Sequence, residues 1–153
     1  MRSSNLLFLA SWVILIVVSS MTLLTAAQSL GVAYFGSGDQ LTPEYTLAQI
    51  REQGGEQAAK AFRGRRVTAA TWALGYALLS ISVILVPYRR GERWAWWAIL
   101  ISLGLPQLLS LARAIALGTT AGTLTPALLL AFFLLGLLAG TPRMFGDRVG
   151  PRE

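Results

Sequence analysis

Charge is absent from four long stretches of this chain, residues 3–38, 67–88, 94–112 and 114–142, which together hold 106 of its 153 residues. No other feature constrains the fold as tightly. A soluble helix alternates apolar and charged faces with a period of about 3.6 residues, so an uncharged run of this length would expose its whole circumference to water at great cost. A helix rising about 1.5 Å per residue crosses a hydrocarbon core of roughly 30 Å in about 20 residues. The four blocks meet that requirement. The sequence therefore predicts an all-α integral membrane bundle of four transmembrane helices, with a short amphipathic helix in the first, outer connection.

The first span is expected over residues 6–30, LLFLASWVILIVVSSMTLLTAAQSL. A signal peptide is the competing reading, but its apolar region would be shorter, its start would carry more charge than Arg2, and Thr25-Ala26-Ala27 is a poor cleavage pattern. Residues 31–66 form the one substantial hydrophilic connection. Thr42-Pro43-Glu44 supplies an N-cap followed by proline at the first helical position, and Gly54-Gly55 ends that short helix. From Glu56 a second helical run leads into span two, with Arg63, Arg65 and Arg66 at headgroup level. A connector lying on the membrane surface and a docking platform for a partner both fit this stretch.

Span two is expected over residues 67–86, closed by Pro87, and span three over 94–117. Between them lies a hairpin with three arginines in six residues, Tyr88-Arg89-Arg90-Gly91-Glu92-Arg93, followed by Trp94, Trp96 and Trp97. Arginine prefers headgroups, and an indole keeps its N–H wet while its ring is buried, so Arg89, Arg90, Arg93 and the three tryptophans are interface anchors. Span four is expected over 125–141, short for a full crossing, with Thr141-Pro142 as its stop and 142–153 as a tail.

Four crossings put both termini on one side. The positive-inside rule acts on short loops, and the second connection is rich in arginine while the third has none. Both termini and the hairpin are thus expected in the cytoplasm of a bacterial cell, bounded by its inner membrane, with residues 31–66 outside. Twelve of the 13 basic residues are arginine and sit at the edges of apolar blocks, which suits lipid headgroups and topology and gives no reason to expect nucleic acid as a partner.

The chemistry is sparse. The chain has no Cys and no His, which removes disulfides, thiolate nucleophiles, iron–sulfur clusters, imidazole-ligated haem and the commonest general base. Membrane enzymes and proton-coupled transporters carry ionisable groups at mid-bilayer, and spans one, two and four contain none. Small multidrug antiporters, also four-helix proteins, depend on a carboxylate in the first helix that this chain lacks. No phosphate loop, catalytic triad or acidic metal motif is present, so no enzyme is expected and no side chain is expected to ligate a cofactor.

Three irregularities remain as candidate contact residues. Arg113 is the one charge in the second half of the apolar sequence; it either snorkels to the outer headgroups from the end of span three or faces the bundle or a partner. Pro106 cannot donate to the carbonyl of Ser102 and opens a kink, and Gln107 places an amide in hydrocarbon. That amide bonds across to a Ser or Thr of a neighbouring helix, or meets the carbonyl of a bound lipid, quinone or carotenoid. Small residues supply packing surfaces: Ser11, Ser19, Thr22, Ala26 and Ser29 on span one, Thr68, Thr71, Gly75 and Ser82 on span two, and the Gly136/Gly140 pair on span four.

The segment YRRGERWAWW, Tyr88 to Trp97, preceded by Pro87, resembles the hairpin of small uncharacterised bacterial four-helix integral membrane proteins, a likeness that covers mainly residues 56–140. The resemblance implies a four-helix membrane fold and, since that group has no established activity, brings no catalytic residue. Two functions follow as expectations. The leading one is a non-catalytic accessory subunit of a larger respiratory, photosynthetic or transport complex, in contact with other integral membrane subunits and with lipid or pigment. The alternative is a small binder or carrier of an apolar ligand.

Overall fold

A computed structural model describes residues 2–35, 47–118 and 123–146. The described residues are all helix and turn. Helix α1 spans Arg2–Phe35 and α2 spans Leu47–Val83, continued by a π turn at Ile84–Tyr88. The third candidate crossing is composite: α3 (Arg93–Ile99), a second π turn (Leu100–Gly104) and α4 (Leu105–Leu117). Helix α5 spans Leu124–Phe145. Four helices are long and apolar enough to cross a membrane, Asn5–Phe35, Ala48–Tyr88, Arg93–Arg113 and Leu124–Phe145.

Both π turns sit at a proline. Pro87 lies inside the first, and Pro106 follows the second by two residues. A proline ring collides with the carbonyl four residues back and leaves it without a donor, and widening the helix by one residue per turn makes room for the ring. Pro87 therefore does not end span two, which runs on to Tyr88. Pro142 does not end span four either: α5 continues through it to Phe145, giving 22 residues in place of the short crossing expected. Two side chains converge at this point, with Thr141 Oγ1 and Trp96 Nε1 both donating to the Leu137 carbonyl, at 3.0 and 3.2 Å.

The first connection is helical as far as it is described. Gly55, at φ 75° and ψ 178°, breaks the regularity of α2 where Gly54-Gly55 was expected to end a short helix. The expected cap at Thr42-Pro43 and the tail from Asp147 onward lie outside the described residues. In the hairpin, Gly91 takes φ 79°, a conformation that costs other residues a Cβ clash, and so allows the chain to reverse between Tyr88 and Glu92.

The bundle interior is built by heptad-like spacing. Phe8, Ser11, Leu15, Val18, Ala26 and Ala33 are buried along α1, while Ala59, Ala70, Ala77, Ser80, Ile84 and Tyr88 are buried along the second crossing. Ala95, Ile99 and Leu103 on the third and Phe133, Leu137 and Met144 on the fourth complete the core. Helix α1 lies between α2 and α5, packing along both. Between 22% and 28% of each span is buried inside the molecule, so most of each helix surface faces outward, and it is studded with Leu, Ile, Val and Phe. The interior mixes large apolar side chains with alanines and the buried hydroxyls of Ser11, Ser19 and Ser80, and an outer surface this apolar suits a hydrocarbon solvent, in which close backbone approach associates helices.

This arrangement revises the packing stripe of helix two. Thr68, Thr71, Gly75 and Ser82 face outward, and nothing lies within 4 Å of a Cβ built on Gly75. Their hydroxyls are satisfied inside their own helix, Thr68 to Gly64 O, Thr71 to Val67 O and Ser82 to Leu78 O, so they need no neighbour. On helix one, Ser11, Ser19 and Ala26 are buried and Thr22 and Ser29 half-buried. Gly136 and Gly140 are buried against α1 and Tyr88.

Candidate functional site

At the hairpin end, side chains knit three crossings together. Tyr88, fully buried, stacks on Phe8 with ring centroids 5.4 Å apart and shares a 2.5 Å hydrogen bond with Ser11. Its hydroxyl occupies space that only glycine leaves open, since a Cβ at Gly140 would stand 1.9 Å from it. Arg93 Nε donates to Met144 O at 3.1 Å, capping a carbonyl left open in the last turn of α5. The anchors thus divide. Trp94 and Trp97 are exposed, as an interface belt requires, and Trp94 Nε1 reaches Glu92 Oε2 at 2.5 Å. Trp96 turns inward, edge-on to Phe145 at 5.4 Å, and Arg93 is committed to α5. Arg89 and Arg90 are exposed.

At the opposite end of the first two crossings, Arg66 Nε donates to Ser29 Oγ at 3.1 Å, so this arginine joins α2 to α1 as well as standing at the span's edge.

Between these ends the second and third crossings part. Helix α2 meets the third crossing chiefly through α3 and the second π turn, and α4 beyond Pro106 leans on α5. A hydroxyl pair, Ser80 Oγ and Ser102 Oγ at 3.0 Å, closes the contact below the kink, and Ser80 also donates to Tyr76 O at 2.7 Å. Above it a groove of about 250 Å³ opens, with Thr22 of α1, Trp72 and Tyr76 of α2, and Pro106, Gln107 and Ser110 of α4 on its walls. A second hollow of about 570 Å³ shares Tyr76, Ser102 and Pro106 with it and continues toward Ala98 and Ile101.

The groove, apolar over most of its wall, carries its polar groups near the middle of a helix long enough to span a membrane. Counting about 1.5 Å per residue, Tyr76 stands roughly 15 Å from Arg66 and roughly 18 Å from Tyr88, close to the middle of a crossing. Gln107 does not bond across to a neighbouring helix as its amide was expected to; the interhelical bond is the Ser80–Ser102 pair. Among the described residues the Gln107 amide, Tyr76 hydroxyl, Trp72 indole N–H and Ser110 hydroxyl have no hydrogen-bond partner. Trp72 is 64% and Tyr76 43% exposed, with their rings stacked 6.2 Å apart on the outer lip. Such groups, left unpaired in hydrocarbon, each cost several kcal/mol on the most apolar reference scale, about 4–8.

Of the candidate residues, Pro106 and Gln107 come together in this groove and Arg113 does not; it is exposed farther along α4. Trp72, Tyr76 and Ser110 were not singled out in the sequence. A Trp and a Tyr at i and i+4, deep in an apolar block and away from either interface, is the signal that marks them. A third groove of about 490 Å³, between α1 and α5, is lined by aliphatic side chains and Phe132, with Thr125 as its one polar residue. No family model, no curated protein and no solved structure matches this chain.

Proposed function

We propose that this chain is a non-catalytic accessory subunit of a larger membrane complex, respiratory, photosynthetic or transport, in a bacterial inner membrane. Both termini and the arginine hairpin face the cytoplasm and residues 31–66 the outer side. The groove between α2 and α4 receives a transmembrane helix of a neighbouring subunit, one that presents hydroxyl, amide or carbonyl groups to Tyr76, Gln107 and Ser110. The observation that carries this reading is the set of unpaired donors at mid-span, a set whose cost is relieved when a polar helix surface seals it. Hydrogen bonds of this kind within a membrane contribute about 0.6–2 kcal/mol.

Gln107→Leu is therefore expected to weaken co-purification of the partner by about three- to thirtyfold, at one such bond lost, while leaving the melting of the isolated chain unchanged. The absence of native Cys makes the companion experiment clean. A photo-crosslinker attached to Cys at position 107 in native membranes should yield one discrete higher-mass adduct, and at exposed Leu135 on α5 none. Equal crosslinking at both positions, or none at 72, 76 and 107, contradicts the subunit reading.

A second reading, an apolar ligand with a carbonyl head such as a quinone, a keto-carotenoid or a lipid, is favoured by one observation: two hollows of about 250 and 570 Å³ share Tyr76, Ser102 and Pro106 on their walls, beside the polar groups. Native mass spectrometry separates the two, because a ligand adds a defined small mass to the chain that Gln107→Leu removes.

A further inference from the structure

We infer that the hairpin end of the bundle holds a binding site for a phosphate group, supplied by the headgroup of an anionic glycerophospholipid. A cavity of about 350 Å³ opens there, lined by Asn5, Phe8, Leu9, Trp12, Arg89 and Arg143. The four α1 residues fall at i, i+3, i+4 and i+7, one face of one helix, while the arginines come from the hairpin and from the last turn of α5. Each guanidinium is steered by an aromatic ring: the Arg143 Cζ lies 4.0 Å from the Phe8 centroid and the Arg89 Cζ 5.9 Å from that of Trp12. Phe8 and Trp12 are one turn apart, so two cations are directed to adjacent levels of the same wall.

No carboxylate among the described residues pairs with either arginine; the Arg51–Glu56 ion pair lies in the first connection. Two guanidinium groups on one cavity, neither paired with a carboxylate among the described residues, repel each other, and an anion between them turns that cost into attraction. A planar guanidinium offers paired N–H donors that match two oxygens of a phosphate. Trp12, a lining residue, brings a further donor, its indole N–H being buried and unpartnered among the described residues. The source of the phosphate follows from position. The cavity lies where three crossings end, and Leu6, Leu9 and Val13 stand exposed on α1 beside and below it, an apolar track for the acyl chains of a headgroup held above. Two cations with no carboxylate partner among the described residues select a net-negative headgroup over a zwitterionic one, whose cationic end would meet Arg89 or Arg143.

The test uses the full chain in phosphatidylcholine nanodiscs containing increasing phosphatidylglycerol, with retained lipid counted by native mass spectrometry. One phosphatidylglycerol per chain is expected, saturating at low mole fraction. Arg89→Gln and Arg143→Gln are each expected to weaken retention about tenfold or more, the effect of losing a charge-assisted hydrogen bond. Arg90→Gln removes the same charge one residue away, from a side chain outside the cavity, and is expected to change retention by less than about threefold. Trp12→Phe keeps the ring beneath Arg89 while deleting the donor, and is expected to weaken retention with unchanged helicity and melting, which separates binding from folding. Equal losses for Arg90→Gln and Arg89→Gln, or uptake that rises without saturating, overturn the site in favour of diffuse surface charge. Displacement of the lipid by inorganic phosphate overturns the lipid source and leaves a soluble anion in the cavity. The inference shares with the proposed function its membrane setting, but the cavity and the α2/α4 groove are separate surfaces, so failure of the crosslinking at position 107 leaves it standing.

Discussion

Gly140→Ala is expected to destabilise the bundle by about 3 kcal/mol, the upper part of the range for forced overpacking, and to lower the thermal midpoint in detergent accordingly. The new methyl carbon would stand 1.9 Å from the Tyr88 hydroxyl and 2.6 Å from Ser11 Oγ, so both must move. Tyr88 has little room to do so, being fully buried and stacked on Phe8. A second substitution isolates the collision with the Tyr88 oxygen. Tyr88→Phe removes the colliding oxygen and costs the Ser11 hydrogen bond, about 1 kcal/mol. In the Gly140→Ala/Tyr88→Phe double variant much of the loss should return, giving a coupling energy of about 1–2 kcal/mol in a double-mutant cycle. Simple additivity of the two changes would mean that the glycine acts elsewhere.

Phe133→Ala is the other substitution with a large expected effect, about 3–5 kcal/mol for truncating a fully enclosed aromatic ring. Phe133 is 0% exposed at the centre of α5, and its ring lies against Gly104 in the second π turn, where a Cβ would stand 2.9 Å from Phe133 Cε1. The ring therefore fills the space between the fourth crossing and the widened turn that accommodates Pro106. Its removal leaves a cavity beside the π turn, and Phe133→Leu, which keeps most of the side-chain volume, should cost less than half as much. Thermal melts of the purified variants read both values, and a loss for Phe133→Ala below about 1 kcal/mol would show that the ring does not support the kink.

The four long apolar helices were legible because charge exclusion is a property of whole segments and survives any detail of packing. The face each helix turns inward was legible only in part. On α1 the stripe of small residues, Ser11 to Ser29, lies on the inward side, with Ser11, Ser19 and Ala26 buried and Thr22 and Ser29 half-buried, although Leu15 and Val18 share that interior. On α2 the same reasoning selected Thr68, Thr71, Gly75 and Ser82, and the interior runs instead through Ala70, Ala77 and Ser80. A hydroxyl that bonds to its own helix is indifferent to what surrounds it, and alanine is common on both faces, so composition carries no preference there.

Proline misled in a related way. Pro87 and Pro142 read as stops, yet both lie inside helical segments, since a π turn at one and the side chains of Trp96 and Thr141 near the other support the disturbed backbone. Tyr88 read as part of an interfacial hairpin and is the buried keystone of three crossings; its distant partners Ser11 and Gly140 become visible only once the helices are placed. Pro106 and Gln107 drew notice as irregularities in an apolar run, but the groove they border depends on Trp72 and Tyr76 from another helix, a juxtaposition no local spacing encodes.

Side-specific labelling of single-cysteine variants tests the central claim, four crossings with the hairpin and both helix ends beside it on one face. The chain has no native Cys, so each introduced thiol reports alone. With a membrane-impermeant maleimide applied from the outside of intact cells, Gln53→Cys should label, while Arg90→Cys and Gly146→Cys should label only after the membrane is opened. Leu78→Cys and Leu135→Cys, exposed on the helix surfaces at mid-span, should stay unlabelled in both conditions. Labelling of positions 53 and 90 from the same side, or ready labelling at 78 or 135 in the intact membrane, would contradict the account.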